Sequence, residues 1–126
     1  MQNATPGEMV HDLRTRVHAT AAALVARDGR VLYADLPEGT YAETFGVMCA
    51  TIVGASVTAL RELGRAAPDH IAIEGPTSRT LVLLCAPHAL LVVVAEPADD
   101  PGALLAAART FAAAMARGSD PDRRPT

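Results

Sequence analysis

Thr44-Phe45-Gly46-Val47-Met48-Cys49-Ala50-Thr51-Ile52-Val53-Gly54-Ala55-Ser56-Val57-Thr58-Ala59-Leu60 runs seventeen residues without a formal charge, between Glu43 and Arg61. An outer helix of a small domain normally shows one apolar stripe and charges the rest of its surface. A helix with no charged face has to be covered on more than one side. In a chain of 126 residues the simplest second cover is another copy of the same helix. The stretch therefore points to association before it points to chemistry.

Working outward, Thr40-Tyr41-Ala42-Glu43 has the form of a capping box, and Gly64 stands where a helix would end. At 100° per residue, one face of the predicted helix collects Phe45, Met48, Cys49, Ile52, Ser56, Ala59 and Leu63. That bulky face is expected on a sheet. The opposite face collects Val47, Ala50, Thr51, Gly54, Val57, Thr58 and Arg61. Its small side chains would let a second backbone come close.

On the N-terminal side, the apolar run from Ala19 to Arg27 meets Asp28-Gly29 and then Arg30-Val31-Leu32-Tyr33-Ala34. Asp-Gly between two such runs predicts a tight hairpin in which both turn residues take positive φ. Pro6 to Val17 reads as a first helix, with Val10, Leu13 and Val17 at helical spacing. On the C-terminal side, Asp69 to Glu74 alternates as a short strand. Thr80 to Ala86 and Leu90 to Glu96 are apolar on both faces, as central strands are, and are joined around Pro87-His88. Asp100-Pro101 opens a last helix whose buried face is Leu104, Leu105, Ala108, Phe111, Ala112 and Met115.

The predicted order is α-β-β-α-β-β-β-α, an α+β fold. A five-stranded antiparallel sheet would carry the long helix on one face and the two terminal helices on the other. One domain is expected over residues 6–117, with a disordered polar tail over 118–126.

Composition narrows the function classes. Half the residues are hydrophobic, net charge is −3, and all eleven basic residues are Arg. With no basic stripe, binding nucleic acid by phosphate neutralisation is not expected. Cys49 and Cys85 fall inside apolar runs and read as buried free thiols of a reducing cytoplasm. No signal peptide is read at the start, and Thr44–Leu60 is short and too rich in Thr, Ser and Gly for a membrane span, so no membrane partner is expected.

This order and these segments resemble the Roadblock/LC7 family. The matching pieces are AAALVARDGRVLYAD, ETFGVMCATIVGASVTALRELG, DHIAIEG, the pair TLVLLCA and ALLVVVAE, and PGALLAAARTFAAAMA, together covering about Met9 to Arg117. The Gly-containing segment that often joins the first helix to the first strand in the family is replaced here by Arg16-Val17-His18-Ala19-Thr20. The resemblance implies a dimer in which central helices pack antiparallel and edge strands join into one sheet. It also implies a platform or regulator for a small Ras-like GTPase, or an adaptor light chain of a motor. Carried onto this sequence, the helix contact falls on Val47, Ala50, Thr51, Gly54 and Thr58. The edge contact falls on His70, Ile71, Ala72, Ile73 and Glu74. Arg61, at the margin of the small face, is a candidate partner contact.

No catalytic, cofactor or metal site is predicted. His11 and His18, seven apart, lack the third ligand a zinc site needs. His70 has no nucleophile beside it, and His88 is expected exposed in a turn. Ser56 is expected to bond back to a helix carbonyl. Gly75-Pro76-Thr77-Ser78 lacks the ending of a phosphate loop. Asp99 and Asp100 read as helix caps. The expected function is a dimeric, non-enzymatic regulator or scaffold that binds a small Ras-like GTPase and modulates its nucleotide cycle. The alternative is a small-molecule-sensing domain of PAS- or profilin-like architecture.

Overall fold

A computed structural model describes residues 5–85 and 88–117. The elements are α1 (Pro6–Arg16), β1 (Ala21–Ala26), β2 (Val31–Asp35), α2 (Ala42–Glu62), β3 (His70–Glu74), β4 (Arg79–Cys85), β5 (Ala89–Ala95) and α3 (Pro101–Arg117). The strands form one antiparallel sheet in the order β2-β1-β5-β4-β3. The expected tail over 118–126 lies outside the described residues.

Alternation along the three inner strands divides the core. Ala22, Leu24, Leu81, Leu83, Leu91 and Val93 face α1 and α3, where they meet Val10, Leu13, Leu104, Ala108, Phe111 and Met115. Ala23, Val25, Val82, Leu90 and Val92 face α2, where they meet Cys49 and Val53. Strands β1 and β5 have helices over both faces, which is why they read as unbroken apolar runs. Cys49 and Cys85 sit on opposite faces of the sheet, both buried and free. Burial raises both thiols, Cys85 to about 11, so neither is a ready nucleophile.

The hairpin departs from the expected turn. Among the described residues only His18 has positive φ without being glycine, so Asp28 is not in the left-handed region. Gly29 N–H donates to the Ala26 carbonyl at 2.9 Å and Ala26 N–H to the Arg30 carbonyl at 2.8 Å. With Gly29 at φ 98° and a register slip between Leu24 and Val25, this is a three-residue loop closed by a glycine bulge. Asp28 Oδ1 accepts instead from the Arg30 backbone N–H at 3.0 Å, which is what the Asp contributes.

Helix starts differ as well. Thr40 does not cap α2: its Oγ1 donates to the Pro37 carbonyl at 2.7 Å, and Tyr41 takes the cap position with no side-chain bond. The preceding turn captures the hydroxyl before the helix can. The capping box lies instead at α1, where Thr5 Oγ1 accepts from Glu8 N–H at 3.1 Å and Glu8 Oε2 accepts from Thr5 N–H at 3.3 Å. Asp100 accepts from Gly102 N–H at 2.9 Å, as expected for the start of α3.

Candidate functional site

The unusual surface belongs to α2. At 1.5 Å per residue its 21 residues span about 31 Å. By length and composition alone it could cross a membrane, yet a stripe of Gly46, Cys49 and Val53 is buried on the sheet, with Phe45, Ala50 and Val57 packed alongside. Gly46 marks the tightest approach. A Cβ there would lie 2.5 Å from the Gly29 carbonyl oxygen and 2.8 Å from Val31 Cγ2. The helix therefore rests directly on the β1–β2 turn.

This seating rotates the helix relative to the sequence reading. Met48 and Leu63, expected on the sheet, are 52% and 74% exposed. Ala50 and Val57, expected on the outer face, pack against the core instead. The cause is the glycine at 46, which lets its own side of the helix sink while bulkier neighbours swing outward. Val47, Thr51, Gly54, Ala55 and Thr58 are exposed, and nothing lies within 4 Å of where a Gly54 Cβ would sit. Tyr41 is 84% exposed at the start of the helix. The back-bond to a helix carbonyl forms at Thr51, onto Val47 at 2.7 Å, rather than at Ser56. Arg61 is exposed and has no ion-pair partner among the described residues.

The second unpartnered feature is β3, which borders β4 and ends the sheet. Ile71 is half-buried on the α2 side of the sheet and Ile73 is 40% exposed. His70 bonds Asp69 through Nδ1 at 3.1 Å, and Arg109 of α3 reaches the same carboxylate at 3.2 Å. These contacts hold the Asp69 carboxyl below the usual range, His70 contributing most. Arg79 binds Glu74 at 2.7 Å and also the Asp99 carbonyl.

The remaining titratable cluster joins α1 to β2. Arg14 Nε and His11 Nδ1 meet Asp35 Oδ2 at 2.5 and 2.6 Å, and Arg14 also donates to the Ala19 carbonyl at 3.2 Å. Arg14 is the main cause of the lowered Asp35 pKa, with His11 adding to it. His18 stands outside the helix, so the two histidines do not share a helical face. A shallow depression along α1 is lined by Gly7, Glu8, Met9, His11 and Asp12. Among the described residues no three His, Cys, Asp or Glu side chains converge as a metal site. The geometry thus offers an apolar helix face and a free sheet edge.

The Roadblock/LC7 domain family matches residues 6–95. The chain belongs to this family. The match runs from α1 through β5 and stops before α3. Among solved structures, a Roadblock/LC7 domain from Streptomyces avermitilis superposes with a TM-score of 0.83 at 17% identity, covering 90% of this chain and 97% of that one. MglB from Myxococcus xanthus gives 0.81 at 14% identity over 85% and 88%. The gliding protein MglB from Thermus thermophilus gives 0.79 at 22% identity over 93% of each chain. At these identities the likeness is one of fold, which profilin IB of Acanthamoeba castellanii shares more loosely at a TM-score of 0.67. A comparison with curated protein sequences gave no match.

Proposed function

We propose that this Roadblock/LC7 chain is a dimeric, non-enzymatic regulator or scaffold that binds a small Ras-like GTPase in the cytoplasm and modulates its nucleotide cycle. The observation that carries the reading is the outward face of α2, exposed and nearly free of charge in a chain of this family. An exposed face with so little charge supports a protein–protein contact. The dimer would use Val47, Thr51, Gly54 and Thr58 on α2 with His70, Ile71, Ala72, Ile73 and Glu74 on β3. Ala50 would take a smaller part, being half-buried against the core. Met48, exposed on the same helix, adds apolar area to the contact. One neighbour, an MglB, is described as having a tetrameric arrangement, which supports self-association as a property of this fold.

Arg61, exposed at the margin of the helix face, is the proposed contact to a bound GTPase. Such a regulator acts by binding one nucleotide state better than the other, and shifts the equilibrium only by that difference. Titration of labelled small GTPases, loaded with GDP or with a non-hydrolysable GTP analogue, tests this directly. The reading predicts saturable binding with unequal affinity for the two states. Absence of binding in both states, with GTPases encoded beside this gene, would overturn it.

A further inference from the structure

As seated, α2 has three uncharged sides rather than two. Wound at about 100° per residue, Gly46, Cys49 and Val53 share the side buried on the sheet, and Val47, Thr51, Gly54 and Thr58 share the small outward strip. Tyr41, Ala55, Ala59 and Leu63, all exposed, share a third side, bordered by half-buried Ile52. The three sides lie roughly a third of a turn apart. Met48 stands on the part of this flank nearer the small strip, so it borders both. Among the described residues, the large hydrophobic side chains left exposed are Tyr41, Val47, Met48, Leu63 and Ile73. The flank, not the small strip, holds the barest of them, Tyr41 at 84% and Leu63 at 74%.

A two-fold contact through the small strip does not cover this flank. Gly54 lets a second helix come close on its own side, to about 8–10 Å between axes, and a helix packed there leaves the side a third of a turn away open. Nor does the composition of residues 1–4, 86–87 and 118–126, which lie outside the described residues, suit them as a cover: Met1 is their one large apolar side chain.

We propose, resting on the dimeric, GTPase-binding reading above, that the Tyr41–Leu63 flank is where the small GTPase seats, while the small strip is kept for the second copy. The matching surface on the GTPase is apolar. The flank carries no cation to pair with phosphate, so it reads the protein surface and not the nucleotide itself. Discrimination between the GDP and GTP forms then follows from which form bares apolar surface. Tyr is among the residue types that carry most binding energy at protein contacts. The flank runs beside the dimer strip on the same helix, and the two-fold repeats it across the seam.

Titration with labelled GTPases encoded beside this gene, in both nucleotide states, separates the two strips when paired with sedimentation of the same full-length variants. Tyr41→Ser with Leu63→Ser removes the bulk of the flank and spares the core, since both side chains are exposed. Ser also suits the cap position that Tyr41 occupies. This pair is expected to sediment like wild type and to bind the GTPase roughly tenfold more weakly, or worse. Tyr41→Phe with Leu63→Met is expected to keep wild-type affinity, because area and not the hydroxyl makes the contact. Wild-type affinity should change less than about threefold between roughly 50 and 500 mM salt. If wild type binds in neither nucleotide state, the GTPase reading itself fails. If wild type binds and the Ser pair binds as tightly, the GTPase seats elsewhere and that reading stands; a steep salt dependence alongside would place the contact at Arg61. Loss of the dimer in the Ser pair would give the flank to the second copy. A dimer-to-tetramer step that the Ser pair abolishes, with GTPase affinity unchanged, would give it to a second dimer. Either result overturns the assignment.

Discussion

His18 holds a left-handed backbone, φ 56°, in the segment that joins α1 to β1. It follows the C-cap of α1: His18 N–H donates to the Thr15 carbonyl at 3.2 Å and Ala19 N–H to the Arg14 carbonyl at 2.9 Å. This closes the helix by a Schellman motif. The same closure follows α2, where Gly64 takes φ 70° without a Cβ to strain it. His18→Gly is therefore expected to stabilise the fold by about 0.5–1 kcal/mol, the Cβ strain relieved less the entropy glycine adds to the unfolded chain; urea unfolding checks it. Gly46→Ala is expected to do the opposite. Its Cβ would press on backbone at 2.5 Å, and overpacking of this kind costs about 1–3 kcal/mol in the same assay. Asp35 gives a pH signature. Its folded pKa is lowered, first by Arg14 and then by His11. The stability it contributes is therefore present above the ordinary carboxylate pKa and lost as pH falls through the lowered folded value. Asp35→Asn should be less stable than wild type at pH 7, and the gap should close as pH drops below about 4.

Among the elements, those with unambiguous period were legible from sequence. The unbroken apolar runs of β4 and β5 could only be inner strands, and the long charge-free stretch, followed by Gly64, read as a helix seated on the sheet. The rotation of α2 was not legible. Periodicity alone assigned Met48 and Leu63 to the sheet, because it weighs bulk and ignores how close the backbone can come. The missing signal was Gly46 lying over Gly29, two glycines far apart in sequence whose meeting depends on tertiary packing. The Asp28-Gly29 signal gave a hairpin but not its loop length, since Asp28 can serve a two-residue or a three-residue loop. Of the proposed interface, Gly54 offers the cleanest probe. It is exposed, with no atom within 4 Å of its Cβ position, so Gly54→Leu fits the single chain and improves helix propensity by several tenths of a kcal/mol. On the proposed interface the added bulk should yield a monomer or an aggregate. Light scattering that shows an unchanged dimer would place the contact elsewhere on α2.

For the whole molecule, two surfaces stand unfinished: the apolar face of α2 and the bare edge of β3. A free edge strand and an uncovered helix are each a liability for a soluble domain. A second copy, related by a two-fold axis, would finish both at once, because a two-fold contact presents the same patch from each side. A GTPase would then meet a platform built from two chains, with Arg61 near its rim. Every proposed role above the single chain depends on that assembly. Sedimentation velocity on the wild-type protein over a wide concentration range is its sharpest test. One species of about 26 kDa is expected, twice the 13.1 kDa of the chain, persisting to low micromolar concentration. A single species at 13.1 kDa throughout that range would contradict it.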